Sequence, residues 1–364
     1  MINSAQNSAD MKFQNRKLIL NLIRKEPISR AELARRTGLT RAAVSIIVDE
    51  LIAMELVFEI GTAKSDFGRK PVLLDINPNS YYILGFDISR SHYTISIVNM
   101  KGVVIKKRKI ELSEYLTVTA AIKKIVQEIR NMVDNKNLPF DKILGLGVSA
   151  PGPLDVYKGI ILNPPNFDLW KEVNIVDILK EEFSFEIYLE NNSVALALAE
   201  KIFGVGKMFR SSILLVVDTG VGAGIIINDE LYRGVGGFGS EVGHTSINID
   251  GKVCSCGNRG CLEVYASIPA ILTEARKIDR NITSWNHIVD RALNGDKLAK
   301  ELIDKEARYL SAGIVNSMNI LELEAVVLTG YVLYKPELLL ERIRYYVHRT
   351  SITRDKSGCD YHYR

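Results

Sequence analysis

Val44, Ile47, Val48 and Leu51 follow the 0, 3, 4, 7 spacing of a helix with one buried stripe. Upstream, Ser29-Arg30-Ala31-Glu32 has the form of a capping box. The Ser29 hydroxyl is expected to close the start of a helix while Glu32 reaches back to the cap amide. That helix runs through Leu33 and Ala34 to Thr37, breaks at Gly38-Leu39, and a second begins at Thr40. The first 55 residues thus read as three helices with short breaks. Leu56-Val57-Phe58-Glu59-Ile60 and Pro71-Val72-Leu73-Leu74 then pair as a hairpin whose tip runs from Gly61 to Lys70.

From Tyr81 onward strands alternate with helices. Strands are expected at 82–87, 93–98, 143–148, 186–189 and 213–217, and helices at about 117–133 and 193–203, the latter stopped by Gly204. The turn cluster Asn77-Pro78-Asn79-Ser80 separates the two regimes. Residues 1–78 are therefore expected to form a winged helix-turn-helix, and residues 79–364 an α/β domain of two lobes with a cleft between them. A chain of 364 residues is long enough to organise a core in each part. No apolar run approaches the ~18 residues of a membrane span, and the start of the chain lacks the pattern of a signal peptide, so a cytoplasmic protein with no membrane partner is expected.

Charge changes the picture modestly. Of the formal net charge of +4, an excess of three lies in residues 1–78. On the second helix of the pair, the face opposite the apolar stripe carries Arg41, Ala42, Ser45 and Asp49. Short side chains beside one arginine suit a recognition helix, whose first turn must approach base edges in the major groove. The expected DNA contacts are Thr40, Arg41, Ala42 and Ser45 on this helix, Arg30 with Arg35 and Arg36 at phosphates, and Lys64, Arg69 and Lys70 on the wing. An ordinary three-helix bundle with a solvated basic face is the alternative.

The cysteines point to metal. His244, Cys254, Cys256 and Cys261 form an H-x9-C-x-C-x4-C loop over 244–261, with glycines that let it fold tightly. One imidazole and three thiolates close a tetrahedral zinc site with no position left for an activated water, so the zinc is expected to be structural. Glu241 and Glu263 flank the loop and are placed to accept hydrogen bonds from sugar hydroxyls; solvated or salt-bridged loop acids are the alternative. The Thr219–Gly224 run could cradle a phosphate or form only a tight hairpin.

Taken together, the helix-turn-helix, Gly68-Arg69-Lys70-Pro71, Gly147-Val148-Ser149-Ala150-Pro151-Gly152-Pro153, Asn163-Pro164-Pro165-Asn166, Leu189-Glu190-Asn191-Asn192 and Cys254-Ser255-Cys256-Gly257-Asn258-Arg259-Gly260-Cys261 resemble the ROK family of repressors and sugar kinases. The resemblance runs from about residue 12 to 330 and is greatest to the xylose-type repressors. It implies an actin-like, two-lobed ATPase fold that holds sugar with Asn166, Asn191, Asn192, Glu241, His244 and Glu263. His244 would serve twice, since zinc on one ring nitrogen fixes the other as a donor toward a sugar oxygen.

The departures from the family's kinases carry as much information. Those kinases place an Asp as general base where this chain has Asn192, and an amide cannot take a hydroxyl proton. They open with Asp-Ile-Gly-Gly-Thr, whereas Asp87-Ile88 is followed here by Ser89-Arg90-Ser91, whose side chains fill the approach of phosphate. After Val326-Val327-Leu328-Thr329-Gly330, the family's closing helix is not evident in the polar stretch Arg354–Arg364. The expectation is a non-enzymatic, sugar-responsive repressor, a homodimer or higher oligomer on operator DNA, in which sugar changes lobe closure and the spacing of the recognition helices. An active ATP-dependent sugar kinase with a fused DNA-binding domain is the alternative. A regulator that docks a transport component instead of a sugar is a third reading.

Overall fold

The computed structural model describes residues 8–62, 71–90, 92–111, 117–134, 136, 138–165, 167–352 and 360–363. Lys64, Arg69, Lys70, Ser91 and Asn166, which the sequence marks as candidate contacts, lie outside these residues. By contacts the chain divides into two units, residues 1–148 with 178–188, and residues 149–177 with 189–364.

The first unit opens with α1 (Ser8–Lys25), β1 (Ile28–Ser29), α2 (Arg30–Thr37), α3 (Arg41–Ala53), β2 (Val57–Thr62) and β3 (Val72–Ile76). The three helices and the hairpin follow the sequence pattern. Ser29 caps α2 by accepting the Glu32 N–H, and Gly38 ends that helix in the left-handed region at φ 71°. Glu32 departs from the expected capping box: its carboxylate binds Arg35 and Arg36 instead of turning back to the cap. The predicted stripe of α3 is buried with Ile19, Ile23, Leu33, Val57 and Leu74, giving this module a core of its own. The small sheet runs β1-β3-β2.

The boundary predicted at 77–80 is a hydrogen-bonded joint. Asn77 donates to the Glu55 carbonyl at 2.9 Å, Ser80 is 1% exposed, and Met100, from the following lobe, packs on the helix-turn-helix core. Lys101 bonds Asp75 at 2.5 Å, and Lys142 pairs with Glu55 at 3.3 Å.

That lobe contains β4 (Tyr82–Ile88), β5 (His92–Asn99), β6 (Val104–Glu111), α4 (Val118–Asp134) and β7 (Ile143–Ala150). The second unit continues through β8 (Leu154–Asp155), β9 (Ile160–Ile161), β10 (Val173–Asn174), α5 (Ile175–Lys180) and β11 (Glu186–Asn191), which both straddle the division, then α6 (Asn192–Phe203), β12 (Ser212–Val217), β13 (Val221–Ile227) and β14 (Glu230–Tyr232). Beyond the cysteine loop come α7 (Glu263–Ala266), α8 (Ile268–Ile278), α9 (Trp285–Leu293), α10 (Lys297–Leu321), β15 (Ala325–Thr329), α11 (Glu337–Thr350) and β16 (Asp360–Tyr363).

The two large sheets repeat one plan. In order β6-β5-β4-β7-β11 and β14-β13-β12-β15-β16, each has a three-strand meander followed by two later strands. Alternation of buried and open residues along β4 and β5 gives the first sheet one core face, built on Tyr82, Leu84, Phe86, Tyr93, Ile95 and Ile97. In the second unit one large core gathers β12, β13 and β15 with α8 to α11, and a smaller cluster of Ala197, Leu214 and Val327 lies apart from it. Gly222 and Gly224 explain how α6 lies on β13: a Cβ at Gly222 would stand 2.1 Å from Ser193 Oγ, and one at Gly224 would stand 2.4 Å from Ala197 Cβ. Close helix-to-strand packing therefore accounts for two of the glycines that might have signalled a phosphate cradle.

Candidate functional site

The exposed side of α3 begins with Thr40, whose hydroxyl accepts the Ala43 N–H at 3.2 Å and caps the helix. Thr40, Arg41 and Ala42 are exposed and Ser45 is partly so. Arg41 has no acidic partner among the described residues. Arg30, Arg35 and Arg36 differ: Arg30 bonds Asp49 at 2.7 Å and approaches Glu59 at 3.4 Å, Arg35 is paired with Glu32, and Arg36 with Glu26 and Glu32. A phosphate would have to compete with those carboxylates. Sequence reasoning missed Ile46, which is 58% exposed on the same helix side as Ala42 and Ser45. The signal was available, because an isoleucine one turn from Ala42 lies off the 44, 47, 48, 51 stripe. An exposed apolar side chain there can meet a thymine methyl group.

In the second unit, Asn191 ends β11 and is the N-cap of α6, its Oδ1 accepting from Ser193 N at 2.9 Å and Val194 N at 3.4 Å. Asn192 is the first helical residue; its own Oδ1 lies 3.0 Å from Ser193 N. Asn191 thus spends its acceptor on the helix and keeps its Nδ2 donor for the other side. A Cβ built at Gly152 would stand 2.9 Å from that Nδ2 and 3.9 Å from Glu241 Oε1. A donor and an acceptor therefore converge beside a bare glycine, and any side chain there would close the space. Burial pushes the Glu241 carboxyl upward, opposed by His244 and reinforced by Glu263, so the three groups sense one another.

Glu263 opens α7 and turns its Oε2 to the Val221 N–H at 3.0 Å, directly over Gly220. Asp218, at the same turn, has its carboxyl raised by burial against a Thr219 backbone hydrogen bond. The amide a phosphate would need is engaged by a carboxylate, with a second acid alongside. In the first unit, the Ser89 hydroxyl donates to the His92 carbonyl at 2.8 Å, between β4 and β5.

The cysteine loop brings its four residues together. Their ligand atoms all lie within 4.8 Å of one another, with His244 Nδ1 3.6 Å from Cys254 Sγ and Cys256 Sγ 3.7 Å from Cys261 Sγ. A tetrahedral ion with bonds of about 2.3 Å to sulfur and about 2.0 Å to nitrogen sets its ligand atoms roughly 3.5–3.8 Å apart, so the set fits zinc. Asn258 Nδ2 holds the His244 carbonyl at 3.1 Å. With Nδ1 facing the thiols, Nε2 is the ring nitrogen left for another partner.

A helix-turn-helix on a duplicated, sugar-kinase-like α/β fold, with a four-residue cysteine-histidine cluster beside convergent Asn and Glu side chains, defines a regulator-type architecture within the actin-like class. The ROK family model matches residues 83–358 and a MarR family model matches residues 9–64. The chain belongs to the ROK family. It is similar to the xylose repressor of Bacillus spizizenii, 33% identical over 338 residues that cover 92% of this chain and 86% of that protein. The glucokinase of Thermotoga maritima is 28% identical over 72% of this chain and 86% of its own length. A crystal structure of a ROK family transcriptional regulator, a homologue of the E. coli MLC protein, superposes with a TM-score of 0.83 at 27% identity, covering 97% of this chain and 92% of that one.

Proposed function

We propose that the chain is a sugar-responsive DNA-binding repressor of sugar-utilisation genes, whose kinase-like part binds sugar without phosphorylating it. The observation that carries this reading is the pairing, in one chain, of an open recognition-helix terminus at Thr40–Ala42 with the convergence of Asn191, Glu241, His244 and Glu263. Asn191 Nδ2 donates to a sugar oxygen, while Glu241 and Glu263 accept from hydroxyls. Glu263 also ties the sugar cluster to the Gly220 turn. Cys254, Cys256, Cys261 and His244 Nδ1 hold a structural zinc, which neutralises thiolate charge and fixes the loop; His244 Nε2 then faces the ligand as a donor. Xylose is the first sugar to test, by similarity to the xylose repressors. The protein works as a homodimer on an operator in the cytoplasm, with Lys64, Arg69 and Lys70 on the wing and Asn166 at the sugar completing the two sites.

The kinase reading has a relative in its favour, the Thermotoga maritima glucokinase. Against it stand Asn192, which can hydrogen-bond a hydroxyl but not deprotonate it, and the Glu263 carboxylate on the Val221 amide. The test joins a gel-shift titration with and without xylose to a coupled assay of ATP consumption. The expected result is a change of operator affinity with sugar and no turnover. Sugar-dependent ATP hydrolysis at about 1–100 per second would sink the non-enzyme reading, and operator affinity indifferent to every sugar in a panel would sink the sensor reading.

A further inference from the structure

The segment from Arg233 to Ser240, with glycines at 234, 236, 237 and 239, starts and ends at the proposed sugar site. At its start Arg233 Nε bonds Glu190 at 2.9 Å, and Glu190 in turn accepts the Asn191 N–H at 3.0 Å. At its end Ser240 runs directly into Glu241. Between these ends the segment lies on the turn after β8: a Cβ at Gly237 would stand 2.9 Å from Val156 and 3.7 Å from the Tyr157 ring. The large side chains here are open to solvent: Tyr157 is 69% exposed, Phe238 51% and Tyr232 46%. Phe238 lies on the strap, Tyr157 on the turn it crosses and Tyr232 at the end of β14, one residue before the strap; exposed aromatic side chains this close to a proposed ligand site make a candidate binding surface.

We propose that Tyr157 and Phe238 form a second sugar subsite, so that the effector class is a disaccharide or longer oligosaccharide of neutral pyranoses. Such a ring carries its hydroxyls around its edge and leaves its C–H faces apolar, so it can lie against an aromatic ring while its edge stays hydrated. The strap that carries Phe238 is bonded to Glu190, the Asn191 neighbour, at one end and leads into Glu241 at the other, so it adjoins the groups proposed to take the first ring. Arg233, with its side chain 42% exposed, stands where it can donate to a hydroxyl of the second ring. The inference rests on the sugar-binding reading above and adds the size and chemistry of the ligand.

Calorimetric titration of the full chain with xylose, glucose, xylobiose and cellobiose tests it, using the unmodified protein and the variants Tyr157→Ala and Phe238→Ala. The unmodified protein is expected to bind one disaccharide about tenfold more tightly than its monosaccharide. Each variant should lose most of that preference and keep its monosaccharide affinity. Equal affinity for monosaccharide and disaccharide in the unmodified protein overturns the subsite and leaves the sugar reading intact. Binding of none of the four sugars overturns both. Variants that keep the preference but change the oligomeric mass in sedimentation would assign the patch to contact between copies of the chain, and also overturn the proposal.

Discussion

Replacing Glu306 by methionine should stabilise the second unit, by an amount that grows with pH. Glu306 occupies the core stripe of α10, is 0% exposed, and neither carboxyl oxygen has a hydrogen-bond partner among the described residues. Burial, reinforced by Glu274, raises its pKa well above the ordinary carboxylate value. The nearby cation does not relieve it, since Lys305 is paired with Glu274. A carboxyl whose pKa is higher folded than unfolded favours the fold only while protonated. Its contribution is therefore complete below the unfolded value of about 4.3 and is lost as pH rises toward the folded one. A buried polar group without a partner costs about 1–3 kcal/mol, and methionine of similar shape removes that cost. At roughly 2–4 °C per kcal/mol, the unit's melting transition should rise by several degrees at pH 7.5 and by clearly less at pH 4.5. Both tryptophans, Trp170 and Trp285, are buried in this unit, so intrinsic fluorescence follows its melting without contribution from the DNA-binding module. Curves for the variant and the unmodified protein that run parallel from pH 4.5 to 8 would refute the argument that ionisation of Glu306 opposes folding.

Three further outcomes are expected. Arg41→Ala should weaken operator binding by about 1–3 kcal/mol at fixed salt while sugar affinity holds; Arg30→Ala should instead lower the melting temperature of the helix-turn-helix, because it releases Asp49 and Glu59, and gel shifts with melting curves separate the two. Cys256→Ser should remove one zinc per chain by elemental analysis and abolish sugar binding, since the same loop carries His244 and leads into Glu263; full sugar affinity in the variant would contradict that coupling. Lys101→Met leaves the Asp75 carboxylate, 12% exposed, with the Ile76 N–H as its remaining partner among the described residues, and should cost roughly 1–3 kcal/mol at the joint. It should reduce the effect of sugar on operator affinity without changing sugar affinity; an intact response would show that this contact carries none of the signal.

The parts legible in the sequence were those in which one local rule decides. The α3 stripe, the Ser29 cap, the Gly38 stop and the cysteine spacing each depend on residues within a few turns of one another, and the structure folds them as read. What was illegible depends on partners distant in the chain. Gly222 and Gly224 look the same in sequence whether they admit a phosphate or a helix, and only the approach of Ser193 and Ala197 tells them apart. Arg30 and Arg41 are equally basic on paper; Asp49 and Glu59, 19 and 29 residues beyond Arg30, engage the first and leave the second open.

Asn77–Ser80 has the composition of a flexible linker, and a tether of that kind would let the helix-turn-helix swing whatever the effector domain did. The structure replaces it with a joint: Met100 enters the core of the DNA-binding module, its N–H bonds the Pro78 carbonyl at 3.2 Å, and two ion pairs flank it at Lys101–Asp75 and Lys142–Glu55. Met100 and Lys101 sit in the turn between β5 and β6, so the DNA-binding module is fixed to the edge hairpin of the first large sheet. A displacement of that hairpin must move the recognition helix with it, because slippage would expose Met100 and strand the nearly buried Asp75 carboxylate. The β5–β6 turn, with Lys142 beside it, is therefore the place where a motion of this lobe reaches the recognition helix. Mutations there should change the response to sugar more than they change affinity for either ligand alone.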